Sequence, residues 1–323
     1  MKLNKVDQKL VSIGILCFNA ENTISEAIKN AFKQSWKNKE IIVIDDCSND
    51  NSHEVIKKSK YFGELKYLRN SLNMGPAYSR NQVLKNCDGD FICFMDDDDI
   101  SDKSRIVYQV ESIYNHGYPY KKEIISICGV TRKYPSGYIK KMRPIGSQGN
   151  TPQGDSYINY VFFNEREKGI DYGFGMPTCA MLLTKECFQK VGLFDENLRR
   201  VEDVDITVRF AKNNFIFVGL DKFLVIQNST SGSDKTPLVN LQSEINLIKK
   251  NKKYLSQKGM FWYSRLWPLL RYYHFKKNYL FLIIIFFLIL LRYPSRAIPH
   301  FIKSTKNRII HEFNIFYGKS FYL

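Results

Sequence analysis

At 323 residues the chain can bury a full core and exceeds the usual size of one compact domain, so one large domain with an appendage is expected. Its 44% hydrophobic and 14% aromatic content excludes a disordered chain. The net charge of +16 does not by itself mark a nucleic-acid surface, because residues 1–234 carry 32 basic against 30 acidic residues while residues 235–323 carry 16 basic residues against Glu244 and Glu312 alone. The seven cysteines form no CxxC pair and no zinc-like cluster, which suits buried thiols in a reducing cytosol. The opening MKLNKVDQKL lacks the apolar run of a signal peptide, so export of the body is not expected.

In chain order, Val11 to Cys17 reads as a buried strand, and a helix is predicted from about Thr23 to Gln34 with Ile24, Ala27, Ile28 and Ala31 on one face. Glu40 to Ile44 is a second strand ending in Asp45 and Asp46, and Asn51-Ser52 can cap a helix through Lys60. Leu65 to Leu68 makes a third strand, and Gly75 opens a helix to about Asn86. Asp90 to Met95 is a fourth strand, ending in four aspartates at 96–99 and followed by a helix over roughly 102–116. Continuous apolar strands alternating with helices predict a parallel sheet covered on both faces, with the ligand at the carboxyl edge where Asn19, Asp46 and Asp96 fall. Residues 134–154 read as a loop, Asp171 to Leu183 returns to the core, and Thr184 caps a short helix. Glu202 to Asn213 has Val204, Val208 and Ala211 at helical spacing.

Acidic runs are often only solvated turns, and Glu202-Asp203 is also a good helix start. Their combination has a chemical reading: four adjacent carboxylates call for a cation among them, and sugar transfer needs both a metal and a carboxylate base.

The blocks VSIGILCFNAENTISEAIKNAFKQSW, EIIVIDDCSNDNS, NMGPAYSRN, GDFICFMDDDD and VGLFDENLRRVEDVDITVR, in this order over about residues 10–220, resemble the family-two inverting glycosyltransferases of bacterial surface-polysaccharide type. The resemblance implies an α/β GT-A fold, a Rossmann-like nucleotide-binding, mostly parallel sheet flanked by helices, over residues 1–234. It puts Phe18, Asn19 and Glu21 at the donor base, Asp46 on uracil, Arg80 along the nucleotide, Asp96 near the ribose and Asp98 on the metal, with Asp96 contributing to the metal site. Asp203 corresponds to the catalytic base and Glu202 to the acceptor side. It further implies Mn2+ or Mg2+, a nucleotide-sugar donor, inversion, and a saccharide acceptor, lipid-linked in many related enzymes. Two departures stand out: DISDKSRI lacks the family's Pro after the acidic motif, and Asn228 or a neighbouring Ser stands where many members have a metal-reaching His. Acceptor contacts are expected from loops around 132–175. The histidines at 53, 116, 274, 300 and 311 suggest no triad or metal site.

In residues 235–323, Tyr279 to Leu291 is an unbroken apolar 13-mer. As a helix it spans about 20 Å, short of the roughly 30 Å hydrocarbon core, so a re-entrant or interfacial segment is expected rather than a crossing; a buried core helix is the alternative. Trp262, Trp267, Tyr272 and Tyr273 precede it, and beyond Pro299 a basic amphipathic helix follows. This helical extension is expected to hold the chain on the cytoplasmic face of the inner membrane, peripherally or monotopically, and a cut near residue 240 to leave a body that still binds donor. The alternatives are a sugar nucleotidyltransferase, for which no N-terminal Gly-rich phosphate loop is present, and a nucleic-acid-binding protein, whose charge would not sit beside an apolar 13-mer.

Overall fold

The computed structural model describes residues 9–229 and 236–319. In β1 (Val11–Cys17) every residue but Leu16 is buried, as a strand covered on both faces requires. It is flanked in parallel by β2 (Lys39–Asp45) and β4 (Phe91–Asp96), and β3 (Lys66–Arg69) adds to β2, also parallel. The connecting helices α1 (Ile24–Phe32), α2 (Ser52–Lys57) and α3 (Pro76–Asn86) cover the two faces. A two-residue strand, β5 (Ile100–Ser101), precedes α4 (Arg105–Asn115). The fully buried Arg105 pins that helix by donating to Gln109 Oε1, Ser101 Oγ and the carbonyls of Phe94 and Met181.

The second half abandons the alternation. It comprises β6 (Ile124–Lys133), β7 (Ile139–Met142), α5 (Gly154–Phe163), β8 (Met181–Thr184), α6 (Lys185–Val191), α7 (Glu202–Lys212) and β9 (Ile216–Asn228). Strand order is β3-β2-β1-β4-β8-β6-β9-β5, with β7 on β6. Because β8 runs antiparallel to both β4 and β6, and β5 antiparallel to β9, the sheet is mixed, which corrects the mostly parallel sheet expected. The reversal has a consequence for the site: a strand entering antiparallel to β4 begins at the carboxyl end of β4, beside the aspartates. Residues 134–154 are likewise not all loop, since β7 pairs with β6 from Val130↔Met142 to Lys133↔Ile139. The segment that follows packs so closely on β9 that a Cβ at Gly219 would lie 2.0 Å from Ile145 O, so that position has no room for a side chain.

Alternate residues of β2 serve opposite faces, Ile41 and Val43 with α1 and α4, Ile42 and Ile44 with α3 and α7. The second of these cores does not stop at residue 234. It continues into α8 (Pro237–Lys250) through Leu247 and Ile248, α9 (Lys252–Gln257) through Leu255, α10 (Phe261–Phe275) through Tyr263 and Leu270, α11 (Tyr279–Arg292) through Ile289, and α12 (Pro294–Tyr317) through Ala297. Ile289 is the buried residue of α11, while Leu280, Phe281, Phe287 and Leu291 are exposed, so α11 is not a core helix. Among the described residues no helix is long and apolar enough to cross a membrane. Six of the seven free cysteines are buried and Cys47 is half-buried, as small apolar residues should be.

Candidate active site

At the carboxyl edge the chain leaves β1 through Asn19, whose φ of 52° lies in the left-handed region that Asn tolerates. Its N–H donates to Ser48 Oγ at 3.0 Å and its Oδ1 accepts from Asn49 N at 2.8 Å. Glu21 repeats the pattern, its N–H donating to Asp50 and its carboxylate accepting from Asn51 N. These two residues therefore stitch the loop after β1 to the loop after β2. Phe18 exposes its ring at the edge, and its N–H donates to Asp97 Oδ2 at 2.9 Å. Asp46 is buried and accepts from Asn70 Nδ2 at 2.7 Å, Met74 N at 2.9 Å and Gly75 N at 2.7 Å. Both its oxygens hold the loop that leads into α3.

The other predicted residues converge on one cleft of about 330 Å³, lined by Arg80, Asp96, Asp98, Asp99, Glu202 and Asp203 among others. Arg80, on α3, donates to Glu202 Oε1 at 2.6 Å, and both side chains are more than nine-tenths buried. Burial opposes the guanidinium charge, but Glu202, Asp96 and Asp203 outweigh it and hold Arg80 charged. Asp203 follows Glu202 in the first turn of α7. Burial first, then the Glu202 carboxylate, pushes Asp203 up to about 6, with Arg80 pulling the other way. A second cavity, of about 500 Å³, adjoins the first and shares Arg132, Pro177, Val201 and Asp203 with it. Asp203 thus faces both.

Sequence reasoning assigned no role to Asp99, Arg132, Cys179 or Gln227, which also line the cleft. Asp99 was visible as the fourth aspartate; Arg132 had no local signal, since β6 reaches the site only through the sheet order. Arg132 donates to Gln227 Oε1 at 2.8 Å, and Gln227 Nε2 to Cys179 Sγ at 3.2 Å. Asn228 donates to the Asp98 carbonyl at 2.9 Å and so holds the backbone of the acidic run.

The acidic run is chemically suited to a divalent cation. Ligand atoms of Asp96, Asp99 and Cys179 lie within 4.8 Å of one another, and Asp98 lines the same cleft. Asp99 Oδ2 is buried without a hydrogen-bond partner among the described residues, and burial, then Asp96 and Asp98, pushes this carboxyl up to about 8. Asp97 is pushed up to about 7, also by burial first. Carboxylates crowded against each other in this way gain from a hard cation, which oxygen donors suit. Burial also holds the Cys179 thiol well above its ordinary range, so the carboxylates are the fitting ligands.

Residues 12–187 match the sequence family described as Glycosyl transferase family 2. The chain belongs to this family. Among its family-2 relatives, an uncharacterized glycosyltransferase of Rickettsia prowazekii is 27% identical over 263 residues, covering 80% of this chain and 76% of the relative. Two Escherichia coli proteins, the UDP-Glc:alpha-D-GlcNAc-diphosphoundecaprenol beta-1,3-glucosyltransferases WfgD and WfaP, are 35% and 36% identical over 40% and 57% of this chain. The chain spans 52% and 62% of their own lengths. Staphylococcus aureus TarS in complex with UDP-GlcNAc superposes with a TM-score of 0.55 at 20% identity, over 82% of this chain and 73% of TarS. The mannosyltransferase PcManGT of Pyrobaculum calidifontis, in complex with GDP-Man and Mn2+, gives a TM-score of 0.56 at 11% identity, over 95% and 82%. These likenesses establish the GT-A-like α/β fold of this glycosyltransferase.

Proposed function

We propose that this glycosyltransferase moves a sugar from a UDP-sugar to a hydroxyl of a lipid-linked saccharide, with inversion, in surface-polysaccharide synthesis at the cytoplasmic face of the inner membrane. The observation that carries the reading is Asp203, a carboxylate at the junction of two cavities, one walled by the acidic run and the other free of it. In this mechanism the acceptor hydroxyl gives its proton to Asp203, and its oxygen forms the new bond to the anomeric carbon from the face opposite the leaving group. The bond from that carbon to the diphosphate breaks, and the electron pair leaves with UDP. Glu202 holds Arg80 buried and charged between Asp96 and Asp203, where it orients the donor phosphates. Asp96, Asp98 and Asp99 would hold Mn2+ or Mg2+, which when bound supplies charge neutralisation for the diphosphate.

Phe18 and the stitched loops around Asn19, Glu21 and Asp46 form the shelf for the donor base. UDP as the nucleotide is supported by the names of WfgD and WfaP and by the TarS complex; Mn2+ is supported by the PcManGT complex. The exposed apolar side of α11, beside α12 with Lys303, Lys306 and Arg308, supports the membrane surface as partner.

The deciding experiment incubates the full chain with Mn2+, a UDP-sugar and a short-lipid diphosphate saccharide, and follows released nucleotide and the anomeric configuration by NMR. UDP release with inverted product is expected. Pyrophosphate release would instead identify a nucleotidyltransferase, and retained configuration would remove Asp203 as the single base.

A further inference from the structure

The second cavity has a wall that the family's core does not supply. Its sides are Tyr157 and Tyr160 from α5 and Val204 and Thr207 from α7, but it is closed by Glu244 and Leu247 from α8, by Ser264, Trp267 and Arg271 from α10, and by His300 from α12. Trp267 and His300 stack with ring centroids 3.6 Å apart and planes 11° from parallel, and Tyr263 OH bonds His300 Nδ1 at 2.7 Å, so the aromatic wall is fixed in place. Ser264 Oγ is buried on this cavity, 2% exposed, with no hydrogen-bond partner among the described residues. A buried hydroxyl left unpaired costs stability unless something in the cavity pairs with it.

Arg132 and Arg271 line this cavity together with Asp203 and Glu244, and two further cations, Arg166 and Lys303, lie near His300. Arg271 pairs with Glu244, while Arg166 lies over the Tyr160 ring at 4.6 Å and Lys303 sits one turn of α12 beyond His300. Burial, then Arg271, Lys303 and Arg166, holds the His300 imidazole down to about 4 and therefore neutral. Three cations thus act on His300 at the wall of this cavity.

Resting on the glycosyltransferase reading above, we propose that this cavity is the acceptor site, that α10 and α12 build it, that the Trp267–His300 wall and Ser264 receive the acceptor saccharide, and that Arg271, Arg166 and Lys303 receive the phosphate joining that saccharide to its lipid. The position of Asp203 requires it: the base touches the acceptor hydroxyl, so the ligand on its side away from the aspartates is the acceptor. Aromatic faces with few fixed polar groups suit a sugar ring. The cations suit a phosphate. A lipid-linked saccharide presents ring, phosphate and chain in that order; Trp267 and Arg271 lie one turn apart on α10, and α11 packs against that helix.

The test uses the full chain in detergent micelles with N-acetylglucosamine diphosphate on a short lipid, and with the alkyl glycoside of the same sugar, which has no phosphate. Arg271→Gln and Trp267→Leu should each raise the acceptor KM at least tenfold for the diphosphate. With the glycoside the Arg271→Gln effect should vanish and the Trp267→Leu effect persist. Ser264→Ala, the mildest change, should raise both KM values about threefold, with a melting temperature no lower than that of the wild type. Direct binding of the lipid diphosphate saccharide, read as fluorescence quenching that Trp267→Phe abolishes, separates the two readings. Binding without turnover on any UDP-sugar would keep the cleft and remove the donor assignment. Turnover with unchanged acceptor KM in both variants would keep the donor assignment and overturn the cleft. An Arg271→Gln protein that loses only anionic-vesicle binding, with KM unchanged, would overturn it in favour of a headgroup site.

Discussion

Asp203 and Glu202 are adjacent carboxylates with different surroundings. Glu202 is tied to Arg80 at 2.6 Å, whereas burial and that neighbouring charge push Asp203 up to about 6. A base must be deprotonated to accept a proton, so turnover should be flat above this value and fall about tenfold per pH unit below it. Asp203→Asn should lower kcat about 10²- to 10⁴-fold and abolish the acid limb while leaving donor affinity intact. A kcat–pH profile with donor titration by calorimetry checks both, and collapsed donor affinity would make Asp203 a binding residue. The Arg80–Glu202 pair makes a separate prediction about stability. Removing one member of a buried pair strands the other charge, at a cost of about 3–5 kcal/mol, whereas neutralising both costs less. Arg80→Met should therefore melt at lower temperature than the Arg80→Met/Glu202→Gln double variant; equal or reversed order would mean that the pair adds nothing to folding.

At the scale of elements, β8 and α11 carry the arguments. An antiparallel β8 brings Pro177 to Cys179 to the end of β4, so the site gains a wall that a parallel strand could not supply. Helix α11 buries Ile289 in the core, packs Leu282, Ile285, Phe286 and Leu290 partly against it, and leaves Leu291 80% and Leu280 67% exposed. Exposed apolar residues contribute little to folding, so Leu280→Glu and Leu291→Glu should change stability by no more than about 0.5 kcal/mol. Burying them in lipid would contribute about 1.5–3 kcal/mol each, and a charge there reverses the effect. Flotation with anionic liposomes should show the double variant lost from the lipid fraction with its melting temperature unchanged; undiminished flotation would leave the basic helix α12 as the anchor.

At the scale of the molecule, the C-terminal helices belong to the same core as the sheet. Leu247, Ile248, Leu255, Tyr263 and Leu270 are all buried in it, and Lys250 reaches the buried Asp205 at 2.8 Å. Five such side chains contribute about 1.5–3 kcal/mol each, which rivals the roughly 5–15 kcal/mol by which a folded domain is stable. A cut near residue 240 should accordingly yield an aggregating chain, the reverse of the donor-binding body expected from the charge and the apolar run of the C-terminal part. A cut after Arg292, which removes α12, should retain a cooperative melt and donor binding while losing transfer through the loss of His300. Calorimetry and donor titration of the two truncations check this, and a folded, donor-binding product of the shorter chain would restore a separable body.

The first four parallel-sheet elements and the acidic run at their carboxyl edge were legible in residue order. Both-face burial writes itself as unbroken apolar strings such as VSIGILC, and the helix face of Ile24, Ala27, Ile28 and Ala31 repeats at 3.6 residues. Glu202 and Asp203 were legible as a pair at a helix start for the same local reason. What residue order could not express was which surface each element meets. Arg80 and Glu202 are 122 positions apart, β8 enters reversed, and Arg132 and Trp267 reach Asp203's surroundings only because the sheet order and the α8–α12 packing bring them there. Periodicity records whether a side chain is buried; its partner is chosen by long-range complementarity of shape and charge, which exists only once the chain has folded.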